Sequence, residues 1–247
     1  MLLASNLSRN IENLTLLSNI DISVEPGSIT VVIGPSGSGK TTLLRALSLL
    51  DLPSSGTIRI DDVVYSFPQD LEEEIIPPWP TVTVVFQQLF LWPHLTLRQN
   101  LTLPLKEKKF RHSHRGNGRN KVKEIIDKLD MGAFIDRYPN EVSIGQRQRA
   151  AIARALVLQP RYILLDEITS ALDVEQIATV LTHLQLLREQ GIGILLVTHL
   201  LGFAQRAADR ILFIDKGKAI ESGGPEILKK PQSTRLQQFV ATIYQAT

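Results

Sequence analysis

The sequence predicts an α/β fold with a largely parallel sheet. Two short apolar runs, Ile29–Ile33 and Tyr162–Leu165, have the length and apolar content of buried strands. A glycine-rich loop and an amphipathic segment follow the first run, and two carboxylates follow the second. From Arg161 onward strands and helices alternate, which favours parallel strands joined by helical crossovers. No internal repeat is visible, so a single unit is expected.

Length and composition suit one large domain or two tightly joined lobes, because the chain has 247 residues and is 43% hydrophobic. It contains no cysteine, which excludes disulfides and thiolate metal sites and is compatible with a reducing cytosol. A net charge of +2 does not indicate a dedicated nucleic-acid binder. Neither a leader nor an apolar run that could span a bilayer is visible, so work at a membrane would require docking onto other subunits.

The first element to justify is the loop after the first strand, which fits Gly-x-x-x-x-Gly-Lys-Ser/Thr at every fixed position. Its glycines let backbone N–H groups turn around phosphate oxygens, and a helix expected over Thr41–Leu50 adds its N-terminal partial charge. Lys40 would reach the β- and γ-phosphates, and the Thr41 hydroxyl would bind Mg²⁺. The alternative, a Gly/Ser-rich loop without function, is disfavoured by the flanking strand and helix. The expected phosphate-binding residues are Gly34, Pro35, Ser36, Gly37, Ser38, Gly39, Lys40, Thr41 and Thr42.

The second apolar strand leads into Asp166 and Glu167. Two carboxylates at the end of a buried strand carry a desolvation cost, which a bound cation and a reacting water would offset. We expect Asp166 to hold Mg²⁺ and Glu167 to polarise the water that attacks the γ-phosphate. A strand end that simply becomes solvent-exposed is the alternative, and beside a complete phosphate loop it is disfavoured.

Four more motifs complete an ordered series in which the chain resembles the ATP-binding subunits of ABC transporters over nearly its whole length. The resemblance implies a RecA-like P-loop NTPase core with an antiparallel β subdomain and a helical signature subdomain. It assigns residues 1–89 and 159–247 to the ATP-binding core and 90–158 to the helical subdomain. The four motifs are the Q-loop Val85-Phe86-Gln87-Gln88, the signature Ser143-Ile144-Gly145-Gln146, the D-loop Ser170-Ala171-Leu172-Asp173 and the switch histidine His199.

The same resemblance implies roles and partners. Gln87 would sense the γ-phosphate and Mg²⁺, and His199 would contact the γ-phosphate, so both would act with Glu167 in catalysis; taken alone, His199 could be a solvent-facing strand-end histidine. Ser143 and Gly145 would bind the γ-phosphate of ATP held by a second copy, and Gln146 and Asp173 are also expected to bind nucleotide. The implied cofactors are ATP and Mg²⁺, and the implied partners are a second copy in a homodimer, membrane permease subunits and a substrate-binding protein. Nucleic acid is not expected, and the chain would lie on the cytoplasmic face of the inner membrane.

Three positions depart from the family pattern. Ile11 stands where an aromatic residue usually stacks on adenine, and no aromatic residue precedes Tyr65. Ile11 can still offer the base an apolar face, without the contribution of stacking. Ile144 stands where the signature usually has glycine, which removes φ > 0 freedom and adds bulk at a dimer-facing turn. Ile168 replaces a usual proline, a minor change.

Two stretches are unusual. Residues 75–80, Ile-Ile-Pro-Pro-Trp-Pro, suggest an extended surface segment, with a proline-recognition ligand as the alternative. The segment from Lys106 to Lys123 is strongly basic and favours a solvated insertion. Its alternatives are contact with anionic lipid head groups or RNA. His112 and His114 lack convincing further ligands for a metal site.

Within the family, Phe90–Leu97 and the tail Glu221–Phe239 resemble the ATPases of polar amino acid importers. The function implied is ATP hydrolysis that energises uptake of a polar amino acid. The ATPase of a lipid or lipoprotein exporter is one alternative. A non-transport ABC ATPase is another, although the chain has neither a long coiled-coil insertion nor a second cassette. A degenerate regulatory nucleotide binder is disfavoured by the intact series Lys40, Gln87, Asp166, Glu167 and His199.

Overall fold

A computed structural model describes residues 1–68, 75–106, 118–169 and 172–246, and for residues 118, 119 and 246 it describes the backbone only. The described strands form a four-stranded antiparallel sheet and a six-stranded mixed sheet. The α/β class expected from the sequence is therefore confirmed. Ser170 and Ala171 of the predicted D-loop, and His112 and His114 of the basic segment, lie outside the described residues.

The antiparallel sheet has the strand order β2-β1-β4-β5. The predicted hairpin around Asp61-Asp62 is confirmed, and Asp61 adopts the positive φ of 56° that a tight turn needs. Tyr162 donates a hydrogen bond of 2.6 Å to Asp61 and so ties this sheet to the larger one. Its strands are β1 (Leu2–Ile11), β2 (Leu14–Val24), β4 (Ser55–Ile60) and β5 (Val63–Phe67).

The larger sheet has the order β10-β9-β3-β8-β7-β6, and β6 through β9 run parallel to β3. Every residue of β3, β7 and β8 is buried, which explains their continuous apolar runs. The predicted hairpin at Lys216-Gly217 joins β9 to the antiparallel edge strand β10. The strands are β3 (Ile29–Ile33), β6 (Val82–Val85), β7 (Tyr162–Asp166), β8 (Gly193–Val197), β9 (Arg210–Asp215) and β10 (Lys218–Gly223).

The helix after the phosphate loop is shorter than predicted, since it ends at Leu47 and not at Leu50. Leu49 has φ of 56°, and the N–H of Leu50 turns back to the carbonyl of Arg45 at 3.0 Å, which closes the helix end. The described helices are α1 (Lys40–Leu47), α2 (Leu97–Thr102), α3 (Gly118–Lys128), α4 (Ile144–Leu156), α5 (Val174–Glu189), α6 (Leu201–Ala207) and α7 (Thr234–Ala246). Short 3₁₀ turns lie at Leu103–Lys106, Pro139–Glu141 and Pro225–Leu228.

Helices α2, α3 and α4 lie between β6 and β7 in the chain and share a core that includes Leu101, Ile125 and Ile152. The guanidinium of Arg154 donates to the carbonyls of Leu89 and Phe90 at 2.8 and 2.7 Å, which fastens α4 to the segment after β6. The division at residues 89 and 158 stays a prediction. Among the described residues no helix is both long and apolar enough to cross a bilayer.

Candidate functional site

The loop between β3 and α1 depends on glycine at two positions of close approach. A Cβ on Gly34 would collide with the backbone oxygen of Ile214 in β9. A Cβ on Gly39 would lie 2.9 Å from the oxygen of Leu16, and Gly39 has φ of 103°. Glycine is therefore required both by the packing of the loop against β9 and β2 and by its backbone conformation.

Lys40 is folded back over this loop. Lys40 as a residue is 7% exposed, and its ammonium group donates to the carbonyls of Gly34 and Pro35, each at 2.9 Å. Burial lowers the pKa of Lys40, and the nearby carboxylates of Glu167 and Asp166 oppose that shift. The result is a cation held in place beside a set of backbone N–H groups, as a phosphate site requires.

Thr41 and Asp166 meet at the start of α1 and the end of β7. The Thr41 hydroxyl lies 3.0 Å from one carboxylate oxygen of Asp166 and 3.2 Å from the other. Burial raises the pKa of Asp166, with a smaller contribution from Glu167, while Thr41 and Lys40 act in the opposite direction. A hydroxyl beside a desolvated carboxylate is a hard oxygen donor set, so the residues present fit Mg²⁺.

Glu167 and His199 lie at the ends of the adjacent strands β7 and β8. Nδ1 of His199 is 3.6 Å from Oε2 of Glu167. The N–H of Glu167 donates to Val197 at 2.9 Å, and Glu167 has a left-handed φ of 47°, so its side chain leaves the end of the strand at a fixed angle. Buried Thr198 accepts from the N–H of Leu200 at 3.1 Å and shapes the turn that carries His199.

These elements surround a cleft of about 630 Å³. Eight of the predicted residues line it: Ser36, Gly37, Gly39, Lys40, Thr41, Thr42, Gln87 and Glu167. Five lining residues were missed: Leu14, Thr15, Leu16, Lys216 and Gly217. They come from the first hairpin and the β9–β10 turn, and nothing in their local sequence indicates a nucleotide. Predicted Ile11 does not line the cleft; it is 49% exposed at the end of β1 and is the register partner of Leu14.

The signature residues lie on the N-terminal turn of α4 and not in the cleft. The hydroxyl of Ser143 accepts from the N–H of Gln146 at 3.2 Å, and the side chain of Gln146 accepts from the N–H of Ser143 at 3.0 Å. Ser143 and Ile144 are exposed, the latter at 42%. Predicted Asp173 caps α5 by accepting from the N–H of Gln176 at 2.8 Å.

The fold and the cleft define a P-loop nucleoside triphosphatase: a strand, a glycine-rich loop and a helix present a lysine and a hydroxyl, and an Asp-Glu pair ends a strand of the same sheet. The sequence profile described as "ABC transporter" matches residues 17–170. The chain is 40% identical over 237 residues to the glutamine transport ATP-binding protein GlnQ of Escherichia coli, covering 95% of this chain and 96% of that protein. The chain therefore belongs to the ABC transporter family, and its enzymatic class is that of an ATPase.

Other relatives agree. The arginine transport ATP-binding protein ArtM of Bacillus subtilis is 38% identical over 245 residues, which is 98% of this chain and 100% of that protein. The cassette MJ0796, solved as a dimer in a post-hydrolysis state bound to ADP and Pi, matches with a TM-score of 0.76 and 30% identity. That match covers 91% of this chain and 99% of the solved one.

Proposed function

We propose that this chain is the ATP-hydrolysing subunit of an importer for a polar amino acid, that it works as a homodimer, and that it is coupled to permease subunits. The observation that carries the proposal is the joint placement of Lys40, the Thr41–Asp166 pair and Glu167 around one cleft. Each member suits a separate task in phosphoryl transfer: charge compensation, cation binding and activation of water.

Binding of the triphosphate uses the loop. Backbone N–H groups and the N-terminus of α1 face phosphate oxygens, and Lys40 exchanges its contacts with Gly34 and Pro35 for contacts with the β- and γ-phosphates. The buried hydroxyl oxygen of Ser38 has no hydrogen-bond partner among the described residues. A polar atom left unpaired inside the loop supports a site that is completed by ligand.

Hydrolysis uses the carboxylate pair. Mg²⁺, held by Thr41 and Asp166, would neutralise charge that develops on the phosphate oxygens. Glu167 accepts a proton from the attacking water, and its fixed backbone turn aims the carboxylate into the cleft. His199, 3.6 Å from that carboxylate, orients it and contacts the γ-phosphate. Gln87, also in the cleft wall, would contact the γ-phosphate and the cation.

A second copy completes the site. Ser143 and Gly145 stand at the exposed N-terminus of α4, outside the cleft of their own chain. A helix N-terminus with a hydroxyl is suited to a phosphate, so the signature of one copy would bind the γ-phosphate held by the other. The dimeric state of MJ0796 supports this arrangement.

Coupling to a permease is supported by the surface after β6. Phe90 and Trp92 are 62% and 51% exposed near Gln87, and exposed aromatic side chains are typical of interfaces. Two relatives are named as ATP-binding proteins of glutamine transport and of arginine transport, which favours a polar amino acid as cargo. The proposal includes a separate substrate-binding protein and a peripheral position on the cytoplasmic face of the inner membrane.

The test is hydrolysis by the full chain assembled with its membrane subunits in liposomes that contain a loaded binding protein. We expect Mg-ATP hydrolysis that rises when the binding protein carries glutamine, arginine or another polar amino acid, and that disappears in Glu167→Gln. Absence of hydrolysis in the assembled complex would refute the ATPase assignment. Hydrolysis that responds only to a lipid cargo would refute the amino acid assignment.

A further inference from the structure

A second cavity lies apart from the nucleotide cleft, between α3, α4 and α5. It has a volume of about 330 Å³ and shares no lining residue with the cleft. Its walls are α3, the end of α4 with the turn before β7, and the end of α5 with the turn before β8. We call it the helical cavity. At roughly 30 Å³ for each water-sized group, it has room for about ten to twelve non-hydrogen atoms.

The inner part of the helical cavity is aliphatic. Leu129, Leu156 and Leu187 line it and are buried, and Leu186 lines it from an exposed position on α5. A ligand with an apolar body would remove this aliphatic surface from water, which is the main source of affinity in small-molecule sites. The size and the lining therefore suit a small ligand that is largely apolar.

The polar groups of the wall set the charge of that ligand. No carboxylate is among the lining residues in the part of the chain that the structure describes. Apart from one histidine, the polar side chains of the wall are two lysines and two glutamines: Lys121, Lys128, Gln159 and Gln190. Ammonium groups only donate, and amides can donate, so the wall complements an anion. A zwitterion is disfavoured, because its own ammonium group would find no carboxylate in the wall.

Glu124 holds the two lysines on one side of α3 without lining the cavity. Its carboxylate lies 2.6 Å from Nζ of Lys128 and 3.3 Å from Nζ of Lys121. All three side chains are partly exposed, so water screens both pairs and each pair contributes little on its own. Because an ammonium group has three donors, each lysine can still bind a second anion inside the cavity.

His183 is the buried polar group of the wall. It is 5% exposed, and its Nδ1 has no hydrogen-bond partner among the described residues. Burial lowers its pKa, with nearby Arg149 acting in the same direction and Asp130 opposing it, so the ring is neutral at pH 7. A neutral imidazole has one N–H donor, and the ring can turn about its Cβ–Cγ bond to present that donor to a ligand oxygen. A buried polar atom without a partner supports a site that a ligand completes.

We propose that the helical cavity binds an aliphatic monocarboxylate of about eight to ten carbons, with the carboxylate at Lys121 and Lys128 and the chain against the buried leucines. Octanoate and decanoate have about ten and twelve non-hydrogen atoms, which matches the volume. The site is separate from the nucleotide cleft, so the proposal goes beyond the proposed function and does not depend on it. A bound chain would join the end of α4 to the end of α5, and the first turns of these helices follow Ser143 and Asp173.

The test is titration calorimetry of the full chain with octanoate, octanol and octylamine, which share one chain and differ in charge. We expect octanoate to bind about tenfold more tightly than octanol, and octylamine more weakly than both, because the polar wall is cationic. Decanoate should bind roughly five- to fifteenfold more tightly than octanoate, since each added methylene buries more apolar area. Phenylalanine, an apolar zwitterion of similar size, should not bind measurably.

Two matched pairs of variants locate the carboxylate. Lys121→Gln combined with Lys128→Gln should weaken octanoate binding by about tenfold and leave octanol binding unchanged. Lys123→Gln removes the same charge from an exposed position of α3 that does not line the cavity, and it should leave both affinities unchanged. Gln190→Glu adds a carboxylate to the wall and should weaken octanoate binding by about threefold. Gln185→Glu, exposed on α5 outside the cavity, is its control.

ATP binding to the separate cleft, measured on every variant, checks that the fold is intact. Three results would overturn the proposal: no binding of octanoate or decanoate to the unmodified chain at roughly millimolar concentration, octylamine or phenylalanine binding as tightly as octanoate, or equal octanoate affinity in the double lysine variant and in Lys123→Gln. None of them bears on ATP hydrolysis, which is tested at the other site.

Discussion

Gly145 of the signature turn and Gln176 of α5 are in close contact: a Cβ on Gly145 would lie 2.9 Å from Oε1 of Gln176. Gln176 is itself held by Asp173, to which its side-chain amide donates at 2.7 Å. The turn that would bind a second copy's nucleotide is thus in contact with Gln176, three residues after the last residue of the D-loop. A change at either end should reach the other through this one side chain.

We expect Gly145→Ala to displace the amide of Gln176 and to weaken ATP-dependent dimerisation. The free energy of unfolding should change by less than about 0.5 kcal/mol, because the amide ends a long side chain and its hydrogen bond to Asp173 is exposed. In a Gln176→Ala background the same change should have a smaller effect on dimerisation. Sedimentation with Mg-ATP measures both. Gly202→Ala, where nothing lies within 4 Å of the added Cβ, is the control. Equal effects in the two backgrounds would contradict the coupling.

Glu167→Gln is expected to lower ATP hydrolysis by about 10²-fold or more while ATP still binds, because the amide keeps the shape of the side chain but cannot accept the proton. Turnover assays and titration calorimetry separate the two effects. Glu175→Gln, an exposed change on α5, should leave turnover intact. Hydrolysis by Glu167→Gln at the unmutated rate would remove Glu167 from the mechanism.

The two-copy site predicts nucleotide-dependent assembly. Glu167→Gln protein should be monomeric without nucleotide and dimeric in saturating Mg-ATP, and ADP should not replace ATP because the contacts of Ser143 and Gly145 are charge-assisted bonds to the γ-phosphate. Sizing chromatography with each nucleotide measures this. A variant that stays monomeric in Mg-ATP, both alone and with its membrane partner, would exclude the mechanism.

Ile144 should modulate the strength of that assembly. Its side chain adds bulk to the turn that presents Ser143, so we expect Ile144→Gly to increase ATP-driven dimerisation in the same assay. Ile144→Ala removes most of the bulk without the backbone freedom of glycine, so comparing the two variants separates the effect of side-chain bulk from that of backbone freedom. Reduced dimerisation in both variants would mean that Ile144 contributes to the interface.

The raised pKa of Asp166 should make the free energy of unfolding depend on pH. Burial raises its pKa in the folded protein above the ordinary value of 3.8, so its contribution to stability is present below that value and is lost as the pH rises through the folded-state pKa. At pH 7, without nucleotide, Asp166→Asn should therefore raise the free energy of unfolding by about 0.5–2 kcal/mol. Urea denaturation at several pH values measures this gain, which should shrink as the pH falls towards 3.8. Exposed Asp127→Asn is the control, and a destabilised Asp166→Asn would show that the charge is well compensated.

Local patterns carried most of what could be predicted. The phosphate loop, the Asp166-Glu167 strand end and the hairpins at Asp61 and Lys216 each lie within a few consecutive residues, so their periodicity and turn chemistry determine them. The end of α1 was placed three residues too late because Leu50 continues the apolar pattern although it is 54% exposed. Helix propensities do not reveal that the backbone of Leu49 adopts the left-handed conformation, which ends the helix.

What the sequence could not show depends on contacts between distant segments. Leu14 faces the cleft only because β2 packs beside Gly39, and Gly217 reaches the phosphate loop only because the β9–β10 turn folds back to Ser38. The contact of Gln176 with Gly145 joins two helices in the same way. Leu14 and Gln176 have no local signal, since leucine and glutamine are ordinary in a strand and a helix, and the turn signal at Gly217 does not show what the turn contacts.

The central position of β3 bears on the order of events during synthesis. Ile29 pairs with Ile194 and Thr30 with Arg210, so both neighbours of the strand that carries the phosphate loop are synthesised only after residue 192. Until then this strand, which is apolar apart from Thr30, has two open edges, a state prone to mispairing. On the ribosome, the strand that carries the loop therefore lacks both of its sheet neighbours until β9 has been made, so we expect ATP to stabilise the fold only after β8 and β9 have paired with β3.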